Sequence, residues 1–262
     1  MDFDHAVIAV RDLDQAIADY TGLGFTVTPG GEHAGGATHN ALIAFADGSY
    51  LELIAFRPGA EVVEHPWWSF ASTSEGLVDW AVRVDDVVSR AEGLRQDGLP
   101  LGASWDGGRT RPDGAQLQWK GTRPAPEHGL PFLIEDVTPR SLRVPSGEAT
   151  THANRTCGLE AIVVAVPNLE QGAQRYAKLL QVSPDPPAPD PLLATETVAL
   201  PCGTARVILA AAPAGPIHER VERHGPGPYA LILCSQGERD GWLDEQLAHG
   251  ASIRLQPKSS TV

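Results

Sequence analysis

The sequence predicts an α+β chain of four tandem strand–helix–strand–strand–strand (βαβββ) modules, the last of them truncated. Two observations carry this reading. A strand followed by a helical pattern recurs four times, three of them with a capping residue, and apolar runs bounded by turn residues follow the copies. Repeats of this kind constrain an architecture more than any single motif does. Residues 5–20 (HAVIAVRDLDQAIADY), 79–94 (DWAVRVDDVVSRAEGL) and 161–176 (AIVVAVPNLEQGAQRY) each contain a strand ending in Val10, Val84 or Val166. Two residues later stands Asp12, Asp86 or Asn168, a side chain whose oxygen can accept the free N–H groups of a first helical turn. Gln15 and Gln171, three residues further on, complete a capping-box pattern. A weaker fourth copy begins at YALILC (229–234), with a helical stretch expected around Trp242 and Leu247. The starts at 5, 79, 161 and 229 are 74, 82 and 68 residues apart.

The remaining strands follow in order. In the first module they are Phe25–Val27, Ala41–Phe45 and Tyr50–Phe56, with Asp47-Gly48 as a two-residue hairpin turn. The second offers Leu99–Ser104, Ala115–Trp119 and Leu130–Glu135. The third offers Thr195–Leu200 and Thr204–Ala210 around Pro201-Cys202-Gly203, and the fourth ends near Ile253–Leu255. Residues 183–191 hold five prolines and read as an extended loop. Arg140–Arg155 is polar and irregular, which places a domain boundary there, between residues 1–140 and 156–262.

Composition narrows the function. With 20 Lys+Arg against 33 Asp+Glu, the net charge of −13 argues against a duplex nucleic-acid binder. No apolar run reaches the roughly 18 residues of a membrane span. Met1-Asp2-Phe3-Asp4-His5 lacks the basic-then-apolar order of a signal peptide. Three cysteines without a CxxC pair predict neither a disulfide framework nor a thiolate zinc site, so a cytoplasmic protein is expected.

Three stretches carry a family resemblance: FDHAVIAVRDLDQAIADY (3–20), GGEHAGGATHNALIAFADGSYLELIAF (30–56), and GLVDWAVRVDDV (76–87) with LPFLIEDV (130–137). Through them the chain resembles the vicinal oxygen chelate superfamily of glyoxalases, bleomycin-resistance proteins and dioxygenases, and within it the glyoxalase-like domain proteins. The resemblance implies that paired modules form cupped mixed sheets. It also implies a divalent metal, Mg, Mn, Fe or Zn, held from the first and fourth strands of each module.

Glu52 is the strongest single signal. It lies in Tyr50-Leu51-Glu52-Leu53-Ile54-Ala55, a strand apolar on both faces, where a bare carboxylate costs several kcal/mol. It needs a cation, a metal or a proton. A buried salt bridge is the alternative, yet neither this strand nor Ala41–Phe45 carries a basic residue. With the resemblance, His5 and Glu52 become expected metal ligands, joined by Asp79 and Glu135 as their second-module equivalents. Alternatively, Asp79 is a base or a strand end, and Glu135 pairs with an arginine. The Asp47-Gly48 turn pairs Ile43 with Glu52 and puts His39 on the same face, at the cavity mouth. Ala161, Val207 and Tyr229 stand at the corresponding places of the later modules, so that half is expected to hold no metal site and to serve structure or a homodimer.

Two loops could touch a substrate. Glu64-His65-Pro66-Trp67-Trp68-Ser69-Phe70 would wall an apolar pocket, form a lid or plug the cup. Arg109 and Arg111, on a Gly-rich loop, suit a carboxylate or phosphate. The resemblance therefore implies a small-molecule metalloenzyme of isomerase or lyase type, in which Glu135 or Glu52 is the base for a metal-stabilised enediolate or alkoxide. A non-catalytic small-molecule binder and an extradiol-type dioxygenase are the alternatives.

Overall fold

In the computed structural model, which describes residues 1–59, 65–125 and 128–258, the first two modules close on each other. The first comprises β1 (Asp2–Ala9), α1 (Leu13–Gly22), β2 (Thr28–His33), β3 (Thr38–Ala44) and β4 (Tyr50–Phe56). After the short α2 (Trp68–Ala71), the second comprises β5 (Gly76–Arg83), α3 (Val87–Gln96), β6 (Trp105–Thr110), β7 (Gln116–Thr122) and β8 (Phe132–Asp136). Their eight strands form a closed barrel in the order β1-β4-β3-β2-β6-β7-β8-β5. Closure leaves no edge strand and gives the inward side chains a space of their own.

Two-residue alternation then sorts β1. Ala6 and Ile8 face outward into a core shared with α1 and α3, while Val7 faces the interior with Ile54, Ala81, Phe132 and Ile134. The expected caps form: Asp12, Asp86 and Asn168 accept from the backbone N–H of Gln15, Ser89 and Gln171. Gln15 does not complete the box, because its amide reaches forward to Asp19 instead.

The second half follows the short α4 (Arg140–Arg143). It comprises β9 (Thr156–Ala165), α5 (Leu169–Leu180), β10 (Ala188–Asp190), β11 (Thr195–Cys202), β12 (Ala205–Ala210), α6 (Pro216–His224), β13 (Gly227–Ser235), β14 (Gly241–Trp242) and β15 (Ser252–Pro257). Its seven strands make one curled sheet that does not close. Ile162 and Val164 of β9 join the large core that also holds Phe3, Leu77 and Trp80, so one apolar mass runs through both halves. On the other face Ala161, Val163 and Ala230 pack with Ile217 of α6. Among the described residues no helix is long and apolar enough to cross a membrane.

Five expectations need correction. The strand expected at Phe25–Val27 lies later, at Thr28–His33. No helix forms around Trp242 and Leu247; Trp242 lies in β14, and turns lead on to β15. The strand expected at Leu99–Ser104 lies later, at Trp105–Thr110, and Leu101 makes only an isolated bridge to Pro124. The prolines at 183–191 leave room for β10, which pairs with β11. The β3–β4 connection spans Phe45–Ser49 instead of two residues, so Leu42, not Ile43, pairs with Glu52.

Candidate functional site

The barrel encloses a cavity of about 550 Å³ whose floor is polar and whose walls are aromatic and aliphatic. His5 and Glu52 lie on the same inward face: β1 and β4 run parallel with Val7 beside Glu52. His5 Nε2 is 3.5 Å from Glu52 Oε2, and His5 Nδ1 is 2.7 Å from Asp4 Oδ1. Asp4 is fully buried. Tyr50 stacks on the His5 ring, the centroids 4.5 Å apart.

Glu52 has two further partners. Asn40 Nδ2 donates to its Oε1 at 2.6 Å, and His33 Nε2 is 3.4 Å from the same oxygen. His33 reaches the interior through a bulge in β2. Pro29 pairs with Ala41 but Gly31 with Asn40, and the extra residue, Gly30, reverses which side chains face inward. Burial works to raise the Glu52 pKa, but hydrogen bonds and charge from His33 and His5 outweigh it and hold the carboxyl well below its usual range. Burial likewise opposes a charged His5, yet Asp4 and Glu52 raise its pKa above the ordinary imidazole value. The floor thus holds the His5 ring between two carboxylates that favour its protonated form.

Asp4 is secured in turn. Arg143 Nη1 and Nη2 donate to its two oxygens at 2.8 and 3.1 Å, and Arg140 also pairs with it. Arg143 spans Asp136 as well, Nε to Oδ1 at 2.6 Å and Nη2 to Oδ2 at 2.9 Å, and it donates to the Tyr50 hydroxyl at 2.6 Å. Both arginines come from α4, inside the stretch that the sequence marks as a polar boundary.

The other expected residues are dispersed. His39 is out of the site: with the one-residue change of register it pairs with Ala55, on the opposite face from Asn40 and Glu52. Glu135 faces outward and accepts the Val87 N–H at 2.9 Å, beside the start of α3. Its alignment with Glu52 fails because Ala81, the counterpart of Val7, pairs with Phe132, making Phe132 the symmetric mate of Glu52. Asp79 is the symmetric mate of His5 but is engaged by Arg123, by Trp67 Nε1 at 2.8 Å and by the Trp80 N–H. Trp67 and His65 line the cavity, whereas Glu64 of the same loop lies outside the described residues. Arg109 lies in β6 and lines the cavity; Arg111 lies outside it, paired with Asp113 at 2.8 Å.

The divalent metal implied by the resemblance does not fit this donor set. Of the four expected ligands only His5 and Glu52 meet, and a phenyl ring stands where the fourth donor should be. The two imidazoles approach different oxygens of Glu52, and an Asn40 N–H takes one of those oxygens. Among the described residues no three His, Cys, Asp or Glu side chains converge in a ligating arrangement. Glu52 is compensated instead by two histidines and an amide. In the later modules the register places Ile208, not Val207, at the position of Glu52, and Ala230, not Tyr229, at that of His5.

Solved structures share the fold. A hypothetical protein from Staphylococcus aureus superposes with a TM-score of 0.77 at 14% identity, over 98% of this chain and 99% of that one. A mutant of 4-hydroxymandelate synthase from Streptomyces coelicolor gives 0.59 at 16% identity, over 89% and 70%. A xylose isomerase-like TIM barrel/4-hydroxyphenylpyruvate dioxygenase fusion protein gives 0.56 at 15% identity, over 90% and 37%. No curated protein matches the sequence. The profile of the glyoxalase-like domain family matches residues 3–180, more than half of the chain, and the chain belongs to that family.

Proposed function

We propose that the barrel cavity binds a small oxygen-bearing molecule and moves a proton on it, as an isomerase or lyase does. The observation that carries this reading is His5, held at the cavity floor between Asp4 at 2.7 Å and Glu52 at 3.5 Å. Asp4 fixes the ring through Nδ1 and leaves Nε2 to face Glu52. In the forward step the imidazolium gives its Nε2 proton to a carbonyl oxygen of the ligand. Glu52 takes the proton from the adjacent carbon, leaving a neutral enol. Glu52 is a weak base while the imidazolium stands beside it, and gains basicity as that charge leaves. The transfers are therefore coupled. The reading needs no divalent metal, in keeping with the donor set.

Proton exchange tests it. In D2O the wild-type protein should wash deuterium into the carbon next to the carbonyl of at least one member of a panel of 2-oxo and 2-hydroxy compounds. His5→Gln and Glu52→Gln should each lower that rate by about 10²-fold or more. A bound compound that never exchanges overturns the catalytic reading and favours the second one, a non-catalytic binder. Trp67, Trp105, Trp119 and Phe132 in the wall support that second reading.

A further inference from the structure

Arg109 differs from the other arginines that line the cavity, Arg123 and Arg143, and from Arg140 beneath it. Arg140 and Arg143 are neutralised by Asp4 and Asp136, and Arg123 by Asp79. Arg109 is only 5% exposed, and among the described residues no carboxylate lies within ion-pair distance of it. Its Nη1 donates to Asn40 Oδ1 at 3.0 Å and its Nη2 to the main-chain oxygen of Arg143 at 3.0 Å. Both acceptors are neutral. The acids nearby are committed elsewhere: Glu52 to the two histidines, Asp4 and Asp136 to the α4 arginines.

The chain is shaped around this guanidinium. A Cβ at Gly30 would stand 2.2 Å from Arg109 Nη1 and 2.1 Å from Asn40 Oδ1, so the β2 bulge residue must be glycine for the two groups to meet. A buried cation that meets only dipoles is under-compensated, and burial accordingly lowers its pKa. What remains open to it is the cavity.

We propose that Arg109 anchors a carboxylate: the ligand of this cavity is a small organic monoacid whose carboxylate pairs with Arg109 while its apolar body lies against Trp67, Trp119 and Phe132. A planar guanidinium matches the two oxygens of a carboxylate. A phosphate dianion would set two charges against one unpaired cation, with Glu52 close by. The inference rests on the reading of the cavity as a small-molecule site and adds the chemical class of its occupant.

Calorimetric titration with matched probes decides it. Phenylacetate and 4-phenylbutyrate should bind wild-type protein at least about tenfold more tightly than their amides and than phenyl phosphate, a difference of about 1.4 kcal/mol. Arg109→Gln should erase the preference by weakening the acids and sparing the amides. Arg109→Lys, keeping the charge without the fork, should weaken the acids but retain their lead. Equal affinity of acids and amides, no binding of either acid, or a preference that survives Arg109→Gln overturns the proposal. The wild-type comparison stands even if Arg109→Gln fails to fold. Acid preference without proton exchange would leave Arg109 as the anchor and overturn only the proton-transfer chemistry. Exchange without acid preference would do the reverse.

Discussion

In β1 the inward positions carry His5 and Val7; in β9 the matching positions carry Ala161 and Val163. In β4 the barrel presents Glu52, where β12 presents Ile208. The strand–helix order at the start of each half is the same, yet the first half closes around a charged floor and the second remains an open sheet with Ile217 of α6 on its concave face. Inward charge is sustained in the barrel because α4 delivers Arg140 and Arg143 to it. Among the described residues the second half has no buried arginine–carboxylate pair, and it packs that face with apolar side chains. Secondary-structure order therefore gives the frame, and the inward residues with their counter-ions decide whether the frame holds a site.

The comparison breaks most sharply at the arginines. Arg143→Met should destabilise the protein by about 3 kcal/mol, because buried Asp4 and half-buried Asp136 lose the arginine that bridges them and keep only Arg140 as an arginine partner. The pair Arg254–Asp240 in the second half has an Asp240 side chain that is 54% exposed, so Arg254→Met should cost no more than about 1 kcal/mol. Urea midpoints of the two variants check this, and similar losses would contradict the contrast. The reverse substitution sharpens it: Val163→Glu, a bare carboxylate on the apolar face, should cost about 3 kcal/mol or prevent folding.

Glu52→Gln keeps the shape and removes the charge, and should cost about 1–2 kcal/mol. Its diagnostic readout is the His5 ring, whose NMR titration should move to lower pH as one of its two carboxylates is lost. An unmoved titration would mean that the pair does not interact. For pH the signs are opposite on the two sides. Stability from the raised His5 pKa is complete below 6.5 and lost as pH climbs through the higher folded-state value. Stability from Asp4 and Glu52 is present above their ordinary values of 3.8 and 4.5, and lost as pH falls through the depressed ones. Thermal melts from pH 3 to 9 should thus peak on the acidic side of neutrality, and His5→Gln should flatten the alkaline limb. His39→Ala, on the outer face, should change stability by less than about 0.5 kcal/mol.

The modules and their caps were legible because alternating apolar strands and Asp or Asn caps are local signals. Glu52 was legible as a buried acid for the same reason. What neutralises it was not. His33 reaches it only through the bulge at Gly30, and Asn40 shares its face only because the β3–β4 connection is longer than a two-residue turn. Both depend on register, which a run of apolar residues leaves open. Glu135 was misaligned for a related reason: the β5–β8 ladder, invisible in sequence, gives its expected place to Phe132. Arg143 lay in a segment whose polarity and irregularity marked a domain boundary and not a part of the site, although it is 3% exposed.

That last residue has a practical consequence. A fragment trimmed after β8, where the barrel's final strand stops, would retain all eight barrel strands yet leave behind the side chain that clamps Asp4, Asp136 and Tyr50 together. A cut beyond Val144 would keep that clamp but still bare the apolar core that the barrel shares with the second half, so neither truncation leaves the base of the cavity as it stands in the whole molecule.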